Sequence, residues 1–161
     1  MKLNIGAGAH PLKGFVNLDL PDFDITKPWA IESSSVDYIH LSHVLEHVTR
    51  EQAEDVILEA YRVLEIGGRL HIAVPDMDKF IDCHLSGNFS PLKGYKHTSL
   101  NNLMGGGEDE PRPEYRHRYM YCYASLAYTL HGAFEEVRNV EANEYDSPDY
   151  YAISLYVEAE K

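Results

Sequence analysis

Cysteine is scarce: Cys83 and Cys122 are the only two among 161 residues. They form neither a CxxC pair nor a dense framework, which excludes a disulfide scaffold and leaves free thiols as the expectation. Positive charge is also short. Fourteen Lys and Arg face 26 Asp and Glu, for a net charge of -12. Such a balance repels a phosphate backbone and argues against general nucleic-acid binding. There is no run of 18 apolar residues and no apolar N-terminal stretch flanked by basic residues. No membrane segment or export signal is therefore expected, and the location read from the chain is cytoplasmic. Internal repeats and low-complexity tracts are absent, and Trp29 is the single tryptophan. It is expected to pack rather than to bind ligand.

What remains is ordinary globular material, 44% hydrophobic and 25% charged. A chain of this length builds one domain that buries roughly two-thirds of its unfolded surface. Residues 1–161 are read as that single domain. Residues 2–5 predict a first strand and 15–18 a second. The interval 9–14 is too short for a crossover helix. A very short edge strand is expected near Phe23-Asp24-Ile25, fenced by Pro21 and Pro28. Ser33-Ser34-Ser35 reads as a turn, and Val36 to Leu41 as a buried strand. Thr49 and Gln52 form a capping box for a helix over 50–64, with Ala53, Val56, Ile57, Ala60, Tyr61 and Leu64 on its apolar face. Gly67-Gly68 is expected to stop that helix. Arg69 to Val74 is the next strand, ended by Pro75-Asp76. Breakers crowd residues 77–118, which read as a lid or substrate-binding insertion. A helix over 121–131 and a final hairpin over 133–160 complete an open, mostly parallel α/β sheet.

Leu3-Asn4-Ile5-Gly6-Ala7-Gly8 brings an apolar strand into a tight glycine turn, where bare backbone can approach a nucleotide-like ligand. Asp19, at the tip of the next strand, can accept two ribose hydroxyls. A dinucleotide site would need a fuller G-x-G-x-x-G turn opening a helix, and His10-Pro11 leaves no room for one. His43 and His47 stand four apart and are the best candidates for a base. Each can equally serve a structural role. Asp76 lies where it can meet an acceptor or simply cap a loop. Arg116, His117 and Tyr119 follow the insertion and can line an acceptor pocket. Arg112, Arg118, Lys93, Lys96 and Tyr115 lie close by in a possible basic and aromatic patch. His43-Val44-Leu45-Glu46-His47 also matches H-x-x-E-H, a zinc peptidase pattern. That motif is short, needs a distant third ligand, and here follows a buried strand. No metal ligand is assigned.

In the order and spacing of these motifs the chain resembles class I S-adenosylmethionine-dependent methyltransferases. It is similar to the small group often associated with phage or sugar-modification genes. Further matching stretches are Gly14-Phe15-Val16-Asn17-Leu18-Asp19, Asp24-Ile25-Thr26-Lys27-Pro28, Ser42 to His47, Glu59 to Leu70 and Ile72 to Asp76. The resemblance implies a compact Rossmann-like sheet with an antiparallel last strand and a shortened first crossover. It implies S-adenosyl-L-methionine as cofactor. Gly6, Ala7 and Gly8 would pass under the methionyl part, Asp19 would take the ribose, and Leu20 and Ile25 would pack near the adenine. Asp24 would face the adenine amino group, and Ser42 and His43 the transferred methyl. Asn4 stands where many relatives carry an acid that orients the donor amine. Methyl transfer from a sulfonium needs alignment and a base, without metal or covalent nucleophile. His43, His47 and Asp76 are the catalytic candidates, and Arg116, His117 and Tyr119 the substrate-binding ones. A small-molecule or saccharide acceptor is expected. The competing reading is a catalytically inactive donor-binding or partner-binding subunit. A homodimer would readily tolerate the missing first helix.

Overall fold

The protein, seen as a computed structural model, is described over residues 1–88, Ser90 and residues 116–161. Six strands form one sheet: β1 (Lys2–Ile5), β2 (Val16–Leu18), β3 (Val36–Ser42), β4 (Leu64–Pro75), β5 (Glu136–Asn139) and β6 (Ser154–Glu160). Their order is β2-β1-β3-β4-β6-β5. The first four run parallel, and β6 lies antiparallel between β4 and β5. Among the described residues three α-helices join them: α1 (Arg50–Val63), α2 (Met77–Ser86) and α3 (Tyr123–Leu130). This is the Rossmann-like sheet with an antiparallel last strand that the family resemblance implies.

Strand alternation sorts the sheet into two unlike faces. Register aligns Leu3 with Ile39, Ile39 with Leu70, and Ile72 with Val157. These residues share one core with Val56, Ile57 and Ala60 of α1 and Leu126 and Leu130 of α3. Burying each large aliphatic side chain contributes about 1.5–3 kcal/mol. The capping box fixes where α1 begins. Thr49 Oγ1 accepts from the Gln52 amide at 3.3 Å, and Gln52 Oε1 accepts from the Thr49 amide at 2.9 Å.

The other face is polar. Asn4, His40 and His71 are paired across β1, β3 and β4, and all three are buried. Right-handed crossovers put the β1–β2 connection on this face, opposite α1. That connection contains no helix, and the chain between β5 and β6 covers the face instead. Its Asp146 carboxylate accepts from His40 Nε2 at 3.2 Å, His71 Nε2 at 2.9 Å and the Asn143 amide at 2.8 Å. Tyr145 meets Phe15 edge-on, with ring centroids 4.9 Å apart.

Two expectations need correction. Phe23-Asp24-Ile25 is not a strand. Asp24 Oδ1 accepts from the Thr26 amide and hydroxyl, and this local turn competes with extended pairing. The α1 helix ends at Val63, before the glycines, and Gly67 and Gly68 lie inside β4. There Gly67 has φ +78° and the pairing register slips between Val36–Leu64 and Tyr38–Arg69. Residues 77–86, the start of the expected lid or substrate-binding insertion, form helix α2: Asp76 caps the N-terminus and Gly87, at φ +66°, closes the C-terminus. The rest of the predicted insertion, apart from residues 87, 88, 90 and 116–118, lies outside the described residues, as do Lys93, Lys96, Arg112 and Tyr115.

Candidate active site

Strand order reverses at β1, which has β2 on one side and β3 on the other. Open α/β sheets leave a crevice at such a switch point, beyond the carboxyl ends of the strands. Here it is a cleft of ≈ 610 Å³, within the range of about 300–1,000 Å³ usual for small-molecule sites. Gly6 and Gly8 line it from β1, Asp19 and Leu20 from β2, and His43, Val44 and His47 from β3.

The β1 turn is stitched to β2. The amides of Gly6 and Ala7 both donate to Leu18 O, at 2.8 and 3.2 Å. The Gly8 amide donates to Asp19 Oδ2 at 2.7 Å, and the Leu20 amide to Asp19 Oδ1 at 2.9 Å. Both carboxylate oxygens are thus held by backbone, and each keeps a further lone pair. Phe23, Asp24 and Ile25 add an apolar and acidic wall. The two Thr26 hydrogen bonds hold the Asp24 carboxyl below the usual carboxylate range. Trp29 is buried, donates from Nε1 to Ile25 O at 3.1 Å and packs on Phe23, so it supports the wall from behind.

His43 follows β3 in the left-handed region, at φ +55°. For a residue other than glycine that conformation costs on the order of 1–3 kcal/mol and recurs at functional sites. Its amide donates to Ala73 O at 2.8 Å. The ring is fixed at both nitrogens, with Nε2 2.8 Å from Ser154 Oγ and Nδ1 3.2 Å from Glu46 Oε1. Tyr150 lies against it, 4.4 Å between centroids.

Glu46 and His47 belong to a 3-10 turn over Leu45–His47. The Glu46 side chain is only 2% exposed. Burial opposes its ionisation, yet the hydrogen bond from His43 and the charges of His43, His47 and His117 hold the carboxyl below its ordinary value. Burial pulls the His47 imidazole down, further than the Glu46 charge raises it. The Glu46 carbonyl accepts from the amides of Arg118 and Tyr119, at 2.7 and 3.3 Å. This backbone clamp brings residues 116–119 to the cleft. His117 meets the His47 ring at 5.1 Å, and Arg118 lines the cleft itself.

Eight predicted site residues therefore share the cleft: Gly6, Gly8, Asp19, Leu20, Asp24, Ile25, His43 and His47. Asn4 does not. Its amide donates to Asn17 Oδ1 at 2.8 Å and to His10 O at 3.4 Å, and its oxygen faces His40 Nδ1 at 3.2 Å. Its side chain is spent on tying β1 to the short crossover. Ala7 and Ser42 contribute backbone near the cleft without lining it. Asp76 caps α2 and sits 3.7 Å from Lys79 Nζ in a separate recess of ≈ 300 Å³. Arg116 and Tyr119 flank the cleft without lining it: Arg116 O faces His47 Nδ1 at 3.4 Å, and the Tyr119 ring packs on Tyr121 at 4.9 Å. Arg118 stands in the basic run of the sequence but outside the predicted site residues. Only the backbone clamp on Glu46, invisible in sequence, sets it apart from Arg116.

A family model described as a methyltransferase domain matches residues 7–72, a span that holds β2, β3 and α1. Comparison with curated proteins finds no match. Among solved structures, a methyltransferase from Methanosarcina mazei described as S-adenosylmethionine-dependent is 16% identical, with TM-score 0.63, covering 99% of this chain and 91% of its own. A Thermotoga maritima protein, described as a possible histamine N-methyltransferase, is 15% identical, with TM-score 0.57 and coverages of 99% and 81%. PigF, solved with S-adenosylhomocysteine, is 16% identical, with TM-score 0.63 and coverages of 99% and 50%. The chain thus shares the fold of S-adenosylmethionine-dependent methyltransferases, and S-adenosylmethionine is the cofactor of that class. Among the described residues no helix is long and apolar enough to cross a membrane.

Proposed function

We propose that the protein transfers a methyl group from S-adenosylmethionine to a hydroxyl of a saccharide or small-molecule acceptor in the cytoplasm. One observation carries the reading: the glycine turn after β1, the Asp19 carboxylate after β2 and His43 after β3 line one cleft. The residues fit the donor part by part. Asp19, its oxygens already oriented by the Gly8 and Leu20 amides, has lone pairs left for two ribose hydroxyls. Leu20, Phe23 and Ile25 offer apolar surface to a purine, and Asp24 an acceptor for its amino group. Arg118 is the one Lys or Arg among the described lining residues, and it suits the donor carboxylate.

The donor brings a methyl group already activated by a sulfonium. The protein's own share is alignment and proton removal. Glu46 orients the His43 ring by taking a hydrogen from Nδ1, which leaves Nε2 as the basic nitrogen. His43 then accepts the acceptor's proton at Nε2, in place of the hydrogen it shares with Ser154. His47 and residues 116–119 form the acceptor side. The preference for saccharide rests on the family resemblance. The test is incubation with isotopically labelled donor and a panel of saccharides and small hydroxylated metabolites. Gain of one labelled methyl by an acceptor supports the reading. No transfer to any of them, with donor binding intact, rejects the acceptor class.

A further inference from the structure

The H-x-x-E-H run is not fully used by methyl transfer. His43 turns to Ser154, but Glu46 and His47 face a third side chain, His117. One ligand-capable atom from each of Glu46, His47 and His117 lies within 4.8 Å of the others. Two further observations point to a cation. First, both Glu46 carboxylate oxygens are fully buried, and while Oε1 faces His43 Nδ1 at 3.2 Å, Oε2 has no hydrogen-bond partner among the described residues. Second, His47 Nδ1 faces the Arg116 carbonyl at 3.4 Å. A carbonyl takes a hydrogen from that nitrogen, so Nε2 presents its lone pair. That lone pair faces Glu46 Oε1 at 3.9 Å, too far for a hydrogen bond. A carbonyl holding the far ring nitrogen is the usual support behind a metal-bound histidine.

We propose that Glu46, His47 and His117 form a divalent transition-metal site of the zinc type on the wall of the methyl-transfer cleft. Two imidazoles and one carboxylate are the donor set of catalytic zinc and non-haem iron sites, which keep coordination positions open. Zinc ligands lie about 2.0–2.2 Å from the ion, so the three side chains close inward on binding. The backbone clamp between Glu46 and residues 118–119 already carries His117 into place. The open positions serve an acceptor hydroxyl, a role that rests on the proposed function, whereas metal binding does not. In that role the hydroxyl oxygen coordinates the ion and its proton passes to His43. The oxygen then bonds to the methyl carbon as the carbon–sulfur bond breaks, and the donor leaves as a neutral thioether.

The test is titration of tag-free, chelator-dialysed protein with Co²⁺ alone, followed by visible absorption and then by competition with Zn²⁺. One equivalent of a saturable ligand-field band, removed by one equivalent of Zn²⁺, is expected. Glu46→Gln and His117→Ala should each weaken Co²⁺ binding at least about tenfold while circular dichroism stays native. Absence of the band, or equal affinity in a folded His117→Ala protein, overturns the site. Parallel calorimetry with S-adenosylmethionine separates the two readings. Donor binding without a Co²⁺ band removes the metal alone, and a Co²⁺ band without donor binding removes the donor reading alone.

Discussion

Gly6 and Val44 approach so closely that a Cβ on the first would lie 2.0 Å from Cγ2 of the second. Gly6 also holds φ +74°. This contact joins the β1 turn to the β3 loop at the base of the cleft. Alanine at position 6 meets two penalties: roughly 1–2 kcal/mol for the left-handed backbone and about 1–3 kcal/mol for overpacking. Gly6→Ala should lower stability by about 2 kcal/mol or more in urea unfolding. Val44→Ala in the same chain should recover part of that loss, whereas strictly additive effects would reject the contact.

Asp19 is anchored by the amides of Gly8 and Leu20, so its carboxylate is set before any ligand arrives. Hydrogen bonds to a charged group contribute about 1.5–3 kcal/mol each. Asp19→Ala should therefore weaken donor binding at least about tenfold in calorimetry, with native circular dichroism. Unchanged affinity would remove the ribose assignment.

Asp146 governs acid stability. Burial raises its carboxyl, but hydrogen bonds from His40, His71 and the Asn143 amide hold it well below the usual range. A depressed carboxyl stabilises the fold above its unfolded value and loses that contribution as pH falls through the folded one. The wild type should lose stability progressively below about pH 4. Asp146→Asn, which leaves two buried imidazoles without their carboxylate, should cost about 3 kcal/mol near neutrality. The gap between the two proteins should narrow in acid. A gap independent of pH in urea melts would show that the carboxylate charge is not the cause.

Much of this architecture is legible in the sequence. Alternation of Leu3 and Ile5, and of Ile39 and Leu41, marks the core strands, and the Thr49–Gln52 pair marks the start of α1. The helix α2 was obscured by the glycines and prolines that follow it, although Asp76, Phe80, Cys83 and Gly87 carry a cap, an apolar face and a stop. Side-chain direction is less legible. Asn4 lies within β1 and Asp19 just past β2, and pleat and the short crossover turn Asn4 toward His40 and leave Asp19 at the cleft. The His40–His71–Asp146 group joins residues 75 and 106 positions apart, which no local pattern reveals.

His43 is held in a strained backbone with both ring nitrogens engaged. In the proposed reaction it takes a proton and does not hold the donor. His43→Ala should keep donor affinity within about threefold and lower turnover by about 10²-fold or more. Equal turnover would make the residue a structural link to Ser154.

Calorimetric titration with S-adenosylmethionine and S-adenosylhomocysteine tests the central claim most directly, with NAD as control. Saturable one-to-one binding of both methyl-cycle ligands, weakened in Asp19→Ala and absent with NAD, is the predicted result. A folded protein that binds neither ligand would contradict the assignment of the cleft.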